Sequence, residues 1–291
     1  MSSAPSSIGG TIRTFRSARP GRVTDADLLF DAPGPRGRRR ITIISGIVTL
    51  LAAVLIAAAL YQLAREDQLA YPKWRYFLGQ SVVSQLLEAA GTTLTLGGVA
   101  AVLTFPLGIA LGWLRLLDNR PIRWLVGLWI DAMRAVPMLL LVYFFLLVVP
   151  RFATISDFWK LALPIVMCTS ATTAEVFRSG VRALDRGQTE AAWALGMSSS
   201  LTMRLILAPQ ALRLMLPTLI TQMVTIIKGT TLAYVLAYPE LMYRGSTMIG
   251  QAKIDAHLSV FFQTYVIIAV AYVIVNWALG ALARYIESRT R

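Results

Sequence analysis

One histidine, His257, one cysteine, Cys168, and charged side chains at only 15% of positions are what this chain of 291 residues has least of. Each scarcity excludes something. A lone cysteine forms no intramolecular disulfide, and one set inside an apolar run has no electropositive neighbour to activate its thiol, so Cys168 says nothing about compartment. No cysteine pair or carboxylate cluster has the spacing of a metal site, and no G-x-x-x-x-G-K-[ST] loop is present to cradle nucleotide phosphates. Neither a catalytic group nor a bound metal is expected. His257 reads as a polar residue at a membrane interface.

Hydrophobic residues make up 56% of the chain, far more than a soluble domain can hide. Residues 41–63, 89–114 and 258–283 carry no charge and exceed the roughly 20 helical residues needed to cross a bilayer core. Three more apolar runs are interrupted: 122–149 by Arg123, Asp131 and Arg134, 161–177 by Glu175, and 214–238 by Lys228. A charge at membrane depth is costly unless it meets another helix or water, so these three are expected to form the core. The fold class is therefore an all-α integral membrane protein of about six transmembrane helices.

The net charge of +13 follows this topology. Most lysines and arginines fall in the N-terminal tail, in the connections Arg115 to Arg123 and Arg178 to Arg213, and at the C-terminal end, which the positive-inside rule assigns to the cytoplasm together with both termini. Split among membrane-flanking loops without interleaved aromatics, these charges fit anionic membrane lipid and argue against nucleic acid. Residues 1–40, rich in Ser, Gly, Pro and Arg, are expected to be a disordered cytosolic tail. The apolar run behind them lies too deep and is too long for a cleaved signal, so 41–63 is read as an uncleaved additional helix.

Between the fourth and fifth spans lies a polar-flanked helix-turn-helix, residues 182–213. Glu190 is placed in the first turn of a short helix, against the positive end of its dipole, and Gly196 where a left-handed cap would end it. Ser198, Ser199 and Ser200 are available to cap the helix that follows. Ala191, Ala192, Trp193 and Leu195 would present small and apolar groups to a groove on a partner, with Trp193 as anchor. Pro209 and Pro217 favour kinks where the loop rejoins the membrane helix. Lys228, with Thr230 and Thr231 beside it, is a candidate for the carboxylate of a substrate or for a gate; pairing with Glu175 is the structural alternative. Arg134 and Asp131, three residues apart on one helix, are expected to pair locally.

The series Glu175-Val176-Phe177-Arg178-Ser179-Gly180-Val181, Gly187-Gln188-Thr189-Glu190-Ala191-Ala192, Leu195-Gly196-Met197 and Pro209-Gln210-Ala211-Leu212-Arg213 resembles the permeases of ATP-binding-cassette (ABC) importers, in their polar-amino-acid branch. Asp131-Ala132-Met133-Arg134-Ala135-Val136-Pro137 and Lys228-Gly229-Thr230-Thr231-Leu232 look like two further elements of that branch. The likeness covers residues 86–291. Ala208 stands where many members have Leu, and Gly229 replaces an acid or amide, which puts in doubt any role carried over to that position.

The resemblance implies a type I importer architecture in which 182–213 holds a cytoplasmic coupling helix. It also implies two ATP-binding subunits that carry the ATP and Mg, a second permease (identical or different), and an extracytoplasmic amino-acid-binding protein, all at the bacterial plasma (inner) membrane. No cofactor is implied on this chain, which would be a transporter subunit and not an enzyme. The Arg-rich tail with Phe30-Asp31-Ala32-Pro33-Gly34-Pro35-Arg36-Gly37-Arg38 looks like the start of actinobacterial glutamate importer permeases, making glutamate the first expected substrate, with glutamine, aspartate or a basic amino acid as alternatives. An ion-gradient-driven secondary transporter is the rival class. It would need ion-coordinating carboxylates in the spans, where only Asp131 and Glu175 are available.

Overall fold

The computed structural model describes residues 35–290. The chain divides into two units, Met1–Leu63 and Ala64–Arg291. In the first, helix α1 (Pro35–Arg65) is apolar on every face over its membrane-length stretch. It starts earlier than position 41, because proline suits a first turn, where its missing N–H has no partner to lose. Residues 35–40 are thus helical, and the rest of the expected tail lies outside the described residues.

In the second unit, short helical turns Tyr71–Arg75 and Tyr76–Leu78 lead into α2 (Gln80–Leu114). Then come α3 (Arg120–Ala135), α4 (Met138–Leu147), α5 (Asp157–Arg182), α6 (Arg186–Ala194), α7 (Ala208–Gly229), α8 (Leu241–Asp255) and α9 (Phe261–Thr290). By length and composition, four of the described helices can cross a membrane, or five if a bent pair is one span. That pair is α3 with α4, over the run 122–149 expected as one span: what is corrected is its continuity, since the two helices meet at 95°. The cause is Pro137, which disfavours helical geometry in the residue before it; Val136 is extended at φ −76°, ψ 128°.

Helix α5, with Asp157 and Lys160 near one end and Glu175, Arg178 and Arg182 near the other, is not among those spans, yet the bundle is built around it. Leu161, Ala162, Ile165, Ala171, Ala174 and Phe177 are buried along its length. It packs most extensively on α2, and α7, α3 and α4 also lie against it. The α2–α5 approach is close because α2 brings glycines to the contact. A Cβ on Gly108 would lie 2.5 Å from the Thr173 Cβ, and one on Gly112 would lie 2.7 Å from the Ala174 carbonyl oxygen. Small residues four apart let helix backbones meet where lipid offers no hydrophobic drive for packing. Between them the hydroxyls of Thr104 and Thr169 share a buried hydrogen bond of 2.8 Å.

Helix α7 adds Ile226 to a core with Ala100, Ala101, Ile165 and Val166. Pro217 sits inside α7 without breaking it. Past Gly229 the chain tightens into a 3-10 helix, Thr230–Leu236, and turns at Ala237 with φ +52°. Helix α8 then packs across α2 and α9.

Candidate functional site

The loop between α5 and α7 is closed by local hydrogen bonds at every end. Asp185 caps α6, its Oδ1 accepting from the Gly187 N–H at 2.6 Å. At the other end Gly196 has φ +74°, its N–H donates to the Trp193 carbonyl at 2.9 Å and the Met197 N–H to the Ala192 carbonyl at 3.0 Å. This pair of bonds is the Schellman arrangement, which satisfies carbonyls a helix end leaves open. Of the three serines, Ser198 caps the next turn, accepting from the Leu201 N–H at 3.3 Å. Ser199–Thr202 and a π-helical turn, Met203–Leu207, run into α7. Pro209 stands in the first turn of α7, where its ring would crowd the Leu205 carbonyl of a regular helix; the widened π turn lies there in place of the expected break.

Two details of the expected docking surface are corrected. Glu190 is not in the first turn of α6, which holds no acid; it lies exposed in the helix middle. Ala192 faces inward and is 1% exposed, since the helical period turns it towards its own bundle. What remains outward is Glu190, Ala191, Trp193 at 56% and Leu195 at 81% exposure. At the base of the loop Phe177, Val181, Leu207, Ala211 and Met215 form one buried cluster, joined by Leu184, Met203 and Ile206, so the two ends of the loop are packed on α5 and α7.

The charged candidates fall elsewhere than expected. Glu175 is held by Arg115 and by Arg178, whose Nη2 donates to it at 2.7 Å. Asp131 pairs with Arg115 at 3.3 Å and not with Arg134, because α3 presents it to the end of α2. Lys228 therefore does not pair with Glu175; it is exposed near the end of α7 and has no ion pair among the described residues. The Thr230 hydroxyl donates to the Ile227 carbonyl and that of Thr231 to the Lys228 carbonyl, both bonds within the chain's own turn. Thr230 is fully buried. Arg134 lies exposed at the end of α3.

A buried acid was missed. Glu240, 0% exposed, caps α8: its carboxylate accepts from the Met242 N–H at 2.9 Å, the Tyr243 N–H at 2.8 Å and the Tyr272 hydroxyl at 2.8 Å. Burial pushes its pKa above the ordinary value, against the lowering effect of these hydrogen bonds. The neighbouring Leu241 N–H donates to the Thr93 hydroxyl at 3.2 Å, so α2, α8 and α9 are tied at one point. Glu240→Ala would leave two N–H groups and a phenol without their acceptor. We expect it to cost about 1–3 kcal/mol, read as a lowered thermal midpoint in detergent; an unchanged midpoint would show the tie to be dispensable.

The sequence model of the family described as "Binding-protein-dependent transport system inner membrane component" matches residues 104–291, which take in α3 to α9 and the whole loop. The chain belongs to this family. Among relatives, this permease is 32% identical over 198 residues to the "Probable glutamine ABC transporter permease protein GlnP" of Bacillus subtilis, covering 68% of this chain and 89% of the relative. It is 32% identical over 234 residues to the glutamate transport system permease protein GluD of Corynebacterium glutamicum, covering 79% and 84%. It is 28% identical over 214 residues to the glutamate/aspartate import permease protein GltK of Escherichia coli, covering 70% and 93%. These relatives are permease subunits, not enzymes.

Among solved structures, the permease resembles one titled "Crystal structure of an amino acid ABC transporter with histidines", with TM-score 0.64 and 24% identity over 72% of this chain and 95% of that one. The MetNI methionine transporter in an inward-facing form matches with TM-score 0.61 and 15% identity, over 73% and 99%. The permease fold is thus that of type I ABC importers.

Proposed function

We propose that the permease is one of two membrane subunits of an ATP-driven importer of polar amino acids, with glutamate as substrate, and that its α5–α7 loop takes the push of a separate ATP-binding subunit. The observation that carries this reading is the outward face of α6: Trp193 and Leu195 are exposed at the tip of a loop whose base is packed on two helices. An apolar anchor that is costly in water calls for a partner groove. ATP and Mg belong to that partner, the loop and both termini lie on the cytoplasmic side, and an extracytoplasmic binding protein delivers the substrate. Tilting α5 and α7 together through the cluster around Phe177 would be a rigid-body route to alternating access. Lys228 and its threonines mark the region of the path. The relatives from Corynebacterium glutamicum and Escherichia coli, named for glutamate and for glutamate/aspartate, support taking glutamate as the first substrate to test.

Affinity purification from native membranes in mild detergent tests the assembly. The wild type is expected to bring an ATP-binding subunit and, where the pair is mixed, a second permease; Glu190→Arg is expected to lose the ATP-binding subunit. Wild-type permease recovered without one, yet active in uptake driven by an ion gradient, would overturn the reading. Substrate is tested by uptake of labelled glutamate into proteoliposomes holding the complex and binding protein. Unlabelled glutamate should compete more strongly than glutamine, aspartate or arginine.

A further inference from the structure

We infer that the seam between α2, α3 and α5 is a binding site for one anionic phospholipid. Two grooves meet there and share Leu128 of α3. The larger, about 730 Å³, is lined almost wholly by apolar side chains, among them Leu107 and Leu111 of α2, Leu125 and Trp129 of α3 and Met167 of α5. Its volume lies within the range of sites that enclose a substantial ligand. The smaller, about 350 Å³, is lined by Arg115, Arg123, Arg178 and Arg182 with Asp131 and Trp124.

The charges in the smaller groove do not balance. Arg115 and Arg178 are engaged by Glu175 and Asp131. Arg123 and Arg182 are exposed, and their guanidinium groups have no ion-pair or hydrogen-bond partner among the described residues. The Arg115 guanidinium lies across Gly127, its Nε 3.5 Å from where a Cβ would be, so it is pinned to α3 and leaves the groove mouth to the other two. A phosphodiester set between them would neutralise the excess, while its acyl chains run past Leu128 into the apolar groove. Trp124 and Trp129, 69% and 42% exposed on the same helix, are the residue type favoured at the level of lipid headgroups.

Charge also decides between occupants. Bulk lipid tails are as apolar as the groove, so tail contact fixes a pose without selecting a lipid, and selection must come from the headgroup. A second copy of this chain, with a net charge of +13, brings like charge to this basic groove. The cytoplasmic leaflet supplies anionic headgroups to juxtamembrane arginines.

Native mass spectrometry of the purified complex, with phosphatidylglycerol or phosphatidylcholine added in turn, tests the site. The wild type is expected to retain phosphatidylglycerol about tenfold or more over phosphatidylcholine. Arg123→Gln with Arg182→Gln, both at exposed positions, should remove that preference while the complex stays intact. Leu128→Glu, which puts an acid where headgroup and tails would join, should remove it too. Equal retention of the two lipids by the wild type, or a preference that survives the arginine substitutions, would overturn the proposal. So would displacement of phosphatidylglycerol by millimolar inorganic phosphate, which would reassign the groove to the free ion. A cross-link from Leu128→Cys to the second permease of the complex would give the groove to that subunit and overturn the lipid site as well.

Discussion

Gly196→Asp is expected to leave the permease inserted and folded but to cut ATP-driven uptake by about a hundredfold or more. Two properties of the position separate these outcomes. A Cβ at Gly196 meets nothing within 4 Å, so a side chain there displaces no neighbour. The positive φ of +74° costs an L-residue about 1–2 kcal/mol, and Asp and Asn tolerate it better than most. Folding therefore survives. The new carboxylate, however, sits beside Leu195 and Trp193, the exposed apolar groups proposed to dock, and burying an unpaired charge against such groups costs several kcal/mol. Gly196→Asn isolates the cause, since it carries the same backbone strain without the charge; it should keep most of the uptake. Proteoliposome uptake, with recovery of the ATP-binding subunit as a second readout, makes the comparison. Normal uptake by the aspartate variant would remove this face from the coupling interface, and equal loss in both variants would place the defect in the backbone turn.

Gly112→Val is expected to fail earlier, at folding itself. The α2–α5 contact is where the bundle's two most closely packed helices touch, and the wall opposite Gly112 is backbone: the Ala174 carbonyl oxygen at 2.7 Å, with Phe177 ring and Cβ atoms at 3.0 and 3.2 Å. A flexible side chain could move aside, but a helix carbonyl cannot without shifting α5, and overpacking of this kind costs about 1–3 kcal/mol or more. The cluster that seats the coupling loop includes Phe177, so the shift would reach the loop as well. Gly98→Val on the same helix is the control, because a Cβ there meets nothing within 4 Å. Size-exclusion profiles and thermal midpoints of the two variants should differ sharply, with little monodisperse Gly112→Val recovered. A normal profile for Gly112→Val would mean that α2 and α5 can separate at small cost.

How far the sequence could be read depended on the range of the interactions. The Gly196 turn and the Ser198 cap lie within a few residues of their partners, and both were legible from residue type and spacing alone. Asp185 follows the same local rule and could have been found by it. Pro137 carried an equally local signal, yet it was hidden in an apolar run long enough to pass for one helix. The inward turn of Ala192 was not legible, because α6 is short and small residues fit either face. Arg115 with Glu175 and Glu240 with Tyr272 are separated by 60 and 32 residues, so only the packing of the bundle brings them together. That is why the sequence leaves Glu175 open as an alternative partner for Lys228.

The π turn at Met203–Leu207 has a further consequence. A turn of that kind fits one residue more into a single revolution than an α-helical turn does, so the extra residue is taken up as width and the helix on either side stays in phase. Deleting one position between 203 and 207 would let the turn close to regular α-helical width, and would set the ring of Pro209 against the carbonyl four residues before it.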